Sequence, residues 1–201
     1  MTEQLSQWGP FIGLVWFIGS IAALAIYRQM RDGKSALALN SKRDRRALRS
    51  VMFGCGVLLG VHSTLNAFAP AMLDPLVRIA AAQTPLIIWA GVFIALPALI
   101  FITIAQLQMG GSWRIGLPDT APGELITGGV FRLTRHPIYL GIGGSLLGAL
   151  LMAPTVGGFA LLALAAVLAD RYVRVEEGFM VEEFGEAYPE YSKRVKRWGL
   201  V

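Results

Sequence analysis

Long apolar blocks divide this chain, near residues 10–27, 47–69, 85–107, 137–152 and 159–173. A transmembrane helix needs about 20 apolar residues to cross about 30 Å of hydrocarbon. Backbone inside lipid must satisfy its own hydrogen bonds, so such blocks read as helices. Hydrophobic residues make up 55% of the 201 and charged residues 15%, too apolar a balance for an ordinary soluble domain. The fold class is therefore all-α, a polytopic transmembrane helical bundle of about five transmembrane helices. The last two are short and joined by a tight turn at Pro154, so they are expected to form a hairpin. A cytoplasmic amphipathic helix is expected at the C-terminus. Trp8, Trp16 and Tyr27 suit interface anchors around the first span, and Pro97 predicts a kink in the third.

Charge orients the bundle. Residues 28–49 hold eight Lys/Arg, residues 109–136 hold three (Arg114, Arg132, Arg135), and the tail from Arg171 holds six. With five crossings, 17 of the 18 fall on one side, and Arg78 alone on the other. The positive-inside rule then puts the N-terminus outside and the C-terminus in the cytoplasm. The segment before Pro137 and the tail after Val173 share that cytoplasmic face. The net charge of +5 is thus explained by membrane orientation rather than by nucleic acid. One cysteine, Cys55, excludes an intrachain disulfide framework, and two histidines, His62 and His136, argue against a metal cluster. The N-terminal MTEQLSQW has no basic residue ahead of its apolar run, so the first span is expected to be retained rather than cleaved.

The stretch GGVFRLTRHPIYLG, 128–141, sits where a polar segment meets an apolar helix. Pro137 suits the first helical turn, where its missing N–H costs nothing. It pushes His136 toward an extended conformation, which places the ring at the helix mouth. Such a mouth exposes free N–H groups and the positive end of the dipole, a setting for a carboxylate or phosphate. Tyr139 can present its ring and hydroxyl there, and Arg132 and Arg135 add positive charge. The same residues also suit a plain interfacial belt.

In the tail, Asp170, Arg174 and Glu177 are spaced to share one helix face. Arg171, Arg174, Glu176 and Glu177 follow the last apolar turn and suit either snorkelling anchors or the binding of a zwitterionic small molecule. Glu182, Glu183 and Glu186 read as a solvated face, and the final KRVKRW as a patch for anionic lipid headgroups. In the second span His62, Ser63, Thr64 and Asn66 read as interhelical hydrogen bonding or as a functional polar cluster. Gly144 and Gly148 in the fourth span serve either close helix packing or room for a ligand.

RHPIY at 135–139, preceded by ELITGGVFR at 124–132, resembles the signature of the isoprenylcysteine carboxyl methyltransferase family and its phospholipid-methyltransferase relatives. EEGFMVEEFGEAYPEYSKRV at 176–195 resembles that family's tail, and GGSWRIG at 110–116 a segment of its prokaryotic members. The likeness covers roughly residues 105–197. It implies a membrane methyltransferase with S-adenosylmethionine as methyl donor, held on the cytoplasmic side by Leu125, Ile126, Phe131, Arg135, His136, Pro137, Ile138, Tyr139 and Glu176. The family often has Tyr in place of Phe131. An arginine before the glutamate pair contacts the acceptor in this family; Arg171 or Arg174 takes that role here. Glu177 or His136 would serve as base if the acceptor were a thiol or amine. Residues 1–84 then form a membrane scaffold and 85–201 the catalytic core of one integrated domain. The expected acceptor is lipophilic and enters from the bilayer, most simply a carboxylate of the isoprenylcysteine type. Phospholipid amines and small thiols are alternatives. Beyond these stand an NADPH-dependent enzyme of the sterol-reductase type and a non-enzymatic membrane protein.

Overall fold

The computed structural model describes residues 1–33, 46–113 and 123–199. Most of the predicted basic connection (34–45) and the end of the GGSWRIG segment (114–116) lie outside the described residues. Among the described residues the ordered elements are helices: α1 Thr2–Asp32, α2 Arg46–Phe68, α3 Pro85–Met109, α4 Pro137–Met152, α5 Val156–Phe184 and α6 Ala187–Arg194. Four of them, α1, α2, α3 and α5, are long and apolar enough to cross a membrane. Large apolar side chains such as Ile12, Phe53, Phe93, Leu107 and Leu164 face outward. That is the surface expected where lipid is the solvent.

Local sequence sets the helix ends. Thr84 caps α3 by accepting from the Ile87 N–H, with Pro85 in the first turn. Thr155 caps α5 by accepting from the Gly158 N–H at 3.1 Å. Gly33 ends α1 in the left-handed conformation, at φ 63°. The predicted limits of α2, α3 and α4 agree with the structure to within a few residues. α3 runs as one helix through Pro97.

The apolar span expected to end near Val173 and the helical spacing read in the tail belong to one element: α5 is 29 residues long, from Val156 to Phe184, and carries Asp170, Glu176 and Glu177 on the same rod as its apolar half. No proline stands between Val156 and Phe184, and the helix runs through Gly157, Gly158 and Gly178 to end at Gly185. The tight turn at Ala153–Thr155 is as predicted, but the pair it joins is not a self-contained hairpin. α4 packs most extensively on α3 rather than on α5.

Glycine makes that α3–α4 contact. A Cβ on Gly148 would lie 2.5 Å from the Gly91 carbonyl oxygen, and one on Gly91 would lie 2.6 Å from that of Gly148. Gly141 meets Ile102 and the Ala98 carbonyl, and Gly144 meets the Ala98 methyl. The small residues of α4 therefore serve backbone approach at this seam.

The polar cluster of α2 also has a packing role. His62 Nε2 lies 3.0 Å from Thr155 Oγ1, so it joins α2 to the cap of α5. Asn66 Nδ2 donates to the Ser6 and Gln7 carbonyls at 2.7 and 3.1 Å, Gln7 Nε2 returns a bond to the Ala67 carbonyl, and Ser6 Oγ donates to the Met152 carbonyl. The segment after α2 joins the same end through Ile79 N–H to Pro154 O and Val156 N–H to Val77 O. The start of α1, the ends of α2 and α4 and the start of α5 thus meet at one end of the bundle. His136 and the charged half of α5 lie at the other.

Gly148→Val should force α3 and α4 apart and lower the midpoint of thermal unfolding in detergent, by about 1–3 kcal/mol of overpacking strain. Gly143→Ala should leave that midpoint unchanged, because a Cβ there meets no heavy atom within 4 Å.

Candidate active site

The site is built on one buried carboxylate. Glu177, with 11% of its side chain exposed, accepts from Arg197 Nε at 3.0 Å and from Arg197 Nη2 at 2.5 Å. Arg135 Nη2 lies 3.2 Å from Glu177 Oε1, and His136 Nε2 lies 3.2 Å from the same oxygen. A carboxylate offers no proton, so His136 Nε2 is the donor. The other ring nitrogen, Nδ1, faces Glu176. That nitrogen is 3.8 Å from Glu176 Oε2, too far for a hydrogen bond. The bonds to Glu177 raise the Arg197 guanidinium above its usual range and keep it charged.

The histidine arrives as the local sequence requires. Pro137 opens α4, and His136 precedes it at φ −126° without capping the helix with its side chain. Its ring turns instead to α5 and lies 6.0 Å from the Tyr139 ring. Tyr139 packs against the buried cluster of Tyr172 and Phe179 on α5.

The approach to α4 is a 3-10 turn, Gly129–Arg132, docked on the end of α3. The Val130 N–H donates to Gln108 Oε1 at 2.9 Å. Gly129 has φ +58°, and a Cβ there would collide with the Gln108 amide, so the turn needs glycine twice over. Phe131 is buried, and its carbonyl accepts from the Tyr191 hydroxyl at 2.6 Å. Leu125 packs against Tyr188, Tyr191 and Val195. Ile126 and Ile138 are half-buried at either side of this turn.

The C-terminal segment completes the enclosure. Thr134, fully buried, donates its hydroxyl to the Arg197 carbonyl at 2.6 Å, and the Arg135 N–H donates to the Lys196 carbonyl at 3.1 Å. The Trp198 indole N–H donates to Asp170 Oδ1 at 2.8 Å, and its ring lies 5.9 Å from His136. The terminal basic run is therefore split. Lys193, Arg194 and Lys196 face outward, whereas Arg197 and Trp198 turn into the site. This corrects the reading of all of KRVKRW as a headgroup patch. Sequence offered one signal for Arg197: paired glutamates at the end of an apolar helix need cations, and Arg135 alone does not balance them.

Of the predicted site residues, Arg135, His136, Tyr139, Glu176 and Glu177 come together, with Pro137 behind them. Arg174 does not join them. It pairs with Asp170 at 2.8 Å, and 61% of its side chain is exposed. Arg171 is exposed on the same helix.

The phospholipid methyltransferase family model matches residues 81–187, from just ahead of α3 to the start of α6. The match covers more than half of the chain, and the protein belongs to this family of membrane methyltransferases. No individual curated protein matches the sequence at a significant level.

Burial pushes the Tyr191 hydroxyl up to about 12, against about 10 in an unfolded chain. A group raised on folding stabilises fully below its unfolded value and loses that contribution as pH rises through the folded one. Stability should therefore fall between about pH 10 and 12. Tyr191→Phe should flatten that loss and lower stability at pH 8 by about 1 kcal/mol through the missing bond to Phe131, as read by chemical unfolding at each pH.

Proposed function

We propose that the protein is an S-adenosylmethionine-dependent methyltransferase whose donor site is the Glu176–Glu177 pair of α5 facing the Arg135–Tyr139 stretch. One observation carries this reading. Polar atoms are buried at this end of the bundle without partners, among them Arg135 Nε, a donor, and Glu176 Oε2, an acceptor. Unsatisfied buried groups cost about 1–3 kcal/mol each, and a ligand of matching polarity removes that cost. When bound, the donor supplies an electrophilic methyl group on a cationic sulfur. Arg135 faces its carboxylate, and Glu176 with His136 Nδ1 faces its ammonium. The wall of Tyr139, Phe131 and Trp198 keeps water from the sulfonium side.

The acceptor is lipophilic and reaches the site from the bilayer. A carboxylate acceptor forms its new O–C bond as the sulfur–methyl bond breaks, loses no proton, and asks the protein for a cation to orient it; exposed Arg171 suits that role, whereas Arg174 would first have to leave Asp170. A second reading, methylation of a phospholipid amine, is favoured by the family description and by the His136–Glu177 hydrogen bond. An ammonium acceptor must give up a proton before it attacks, and a histidine paired with a carboxylate can take it. The count of basic residues supports a cytoplasmic donor site, with the N-terminus outside.

Calorimetric titration of S-adenosylhomocysteine into detergent-purified protein should give saturable binding. Glu176→Gln should weaken it about tenfold, a usual effect of losing one charged hydrogen-bond partner, and His136→Ala should weaken it further. Unchanged affinity in Glu176→Gln would remove the glutamate pair from the donor site. An absence of binding by folded wild type, together with an absorbance loss from NADPH on turnover, would move the protein to the reductase class.

A further inference from the structure

Tyr188 stands outside every role described above and outside the segment matched by the family model. It is 97% buried at the head of α6, in a cluster with Tyr191 and Val195, and its hydroxyl has no hydrogen-bond partner. Its neighbour Tyr191 shows what a structural tyrosine looks like here, with the hydroxyl spent on the Phe131 carbonyl. The two rings pack edge to face, 6.0 Å apart, so Tyr188 already has all the packing its ring offers. A phenylalanine would fill the same space without an orphaned hydroxyl, which burial makes unfavourable.

The groups around that hydroxyl define what it can bind. Tyr188 packs with Val195, and the next residue, Lys196, takes the Arg135 N–H on its carbonyl, so Arg135 and the glutamates beside it are the nearest charged groups of the site. Two donors, Tyr188 O–H and Arg135 Nε–H, and one acceptor, Glu176 Oε2, are buried here without partners. Across from Glu176 Oε2, His136 Nδ1 lies 3.8 Å away, a gap that a polar group of a ligand can bridge. Two free donors and one free carboxylate oxygen match the two ends of an α-amino-acid group, its carboxylate and its ammonium.

We infer that Tyr188 is a binding residue for the amino-acid end of the methyl donor, with its hydroxyl donating to the carboxylate alongside Arg135. This rests on the donor reading above and adds the residue and the recognised moiety. On this assignment the hydroxyl is spent on the carboxylate and makes no contact with the nucleoside end. Discrimination therefore falls between ligands that carry the zwitterion and ligands that lack it.

The test uses two ligands and one variant, Tyr188→Phe, in the full chain. S-adenosylhomocysteine carries the amino-acid end; 5′-methylthioadenosine is the same nucleoside thioether without it. By calorimetry, Tyr188→Phe should bind S-adenosylhomocysteine about tenfold more weakly than wild type and methylthioadenosine equally well. Without ligand, the variant should unfold at the same temperature as wild type or higher, because it deletes only an unpaired hydroxyl. A structural tyrosine would lower that temperature. Equal affinity for S-adenosylhomocysteine, or equal loss for both ligands, overturns the assignment while leaving the donor reading intact. Failure of folded wild type to bind S-adenosylhomocysteine overturns both.

Discussion

A carboxylate buried at the end of an apolar bundle is costly unless cations and hydrogen bonds surround it. Glu177 meets that condition by gathering three separate pieces of chain. Arg135 and His136 come from the approach to α4, and Arg197 comes from beyond α6. Removing Glu177 would leave two arginines facing each other, so the carboxylate fixes the relative position of α4, α5 and the C-terminal segment. The same arrangement leaves Glu176, one residue earlier, with an oxygen that nothing satisfies. One glutamate holds the site together, and its neighbour remains free to bind.

The far end of the bundle holds the frame in which this happens. The glycine seam between α3 and α4 sets the height of Pro137, and hence of His136, through backbone contacts that tolerate no side chain. Gln108, at the end of α3, holds the 3-10 turn that leads into α4. The His62–Thr155 bond and the Asn66 contacts register α2 and α1 against α5 and α4 at the opposite end. With both ends of α4 and α5 tied, the face between them carries the charged groups at a fixed separation.

Much of this was legible in the sequence because hydrophobic blocks and a proline-started helix leave local marks. The limits of α2, α3 and α4 and the position of His136 at a helix mouth follow from such marks, whereas the meeting of 135–139 with the glutamate pair was what the family resemblance implied. The rest depends on long-range geometry. A helix that passes from lipid into a polar region changes composition without changing conformation, so the end of the apolar span near Val173 did not show that α5 runs on to Phe184. Spacing alone put Arg174 beside Glu177, but Asp170 claims it one turn earlier. Arg197 and Trp198 sit in a basic run that looks like surface, and only the folding back of residues 195–198 onto Thr134 and Arg135 turns them inward. No local pattern distinguishes Tyr188 from Tyr191. Their difference lies in which one finds a carbonyl.

The account places the methyl donor against the Glu176–Glu177 face. The most direct measurement is ultraviolet photolabelling of the purified protein with S-adenosylmethionine radiolabelled in its methyl group, followed by identification of the labelled peptide. The account predicts label within residues 125–139 or 170–198, suppressed by excess S-adenosylhomocysteine. Competable label confined to α1 or α2 would contradict it.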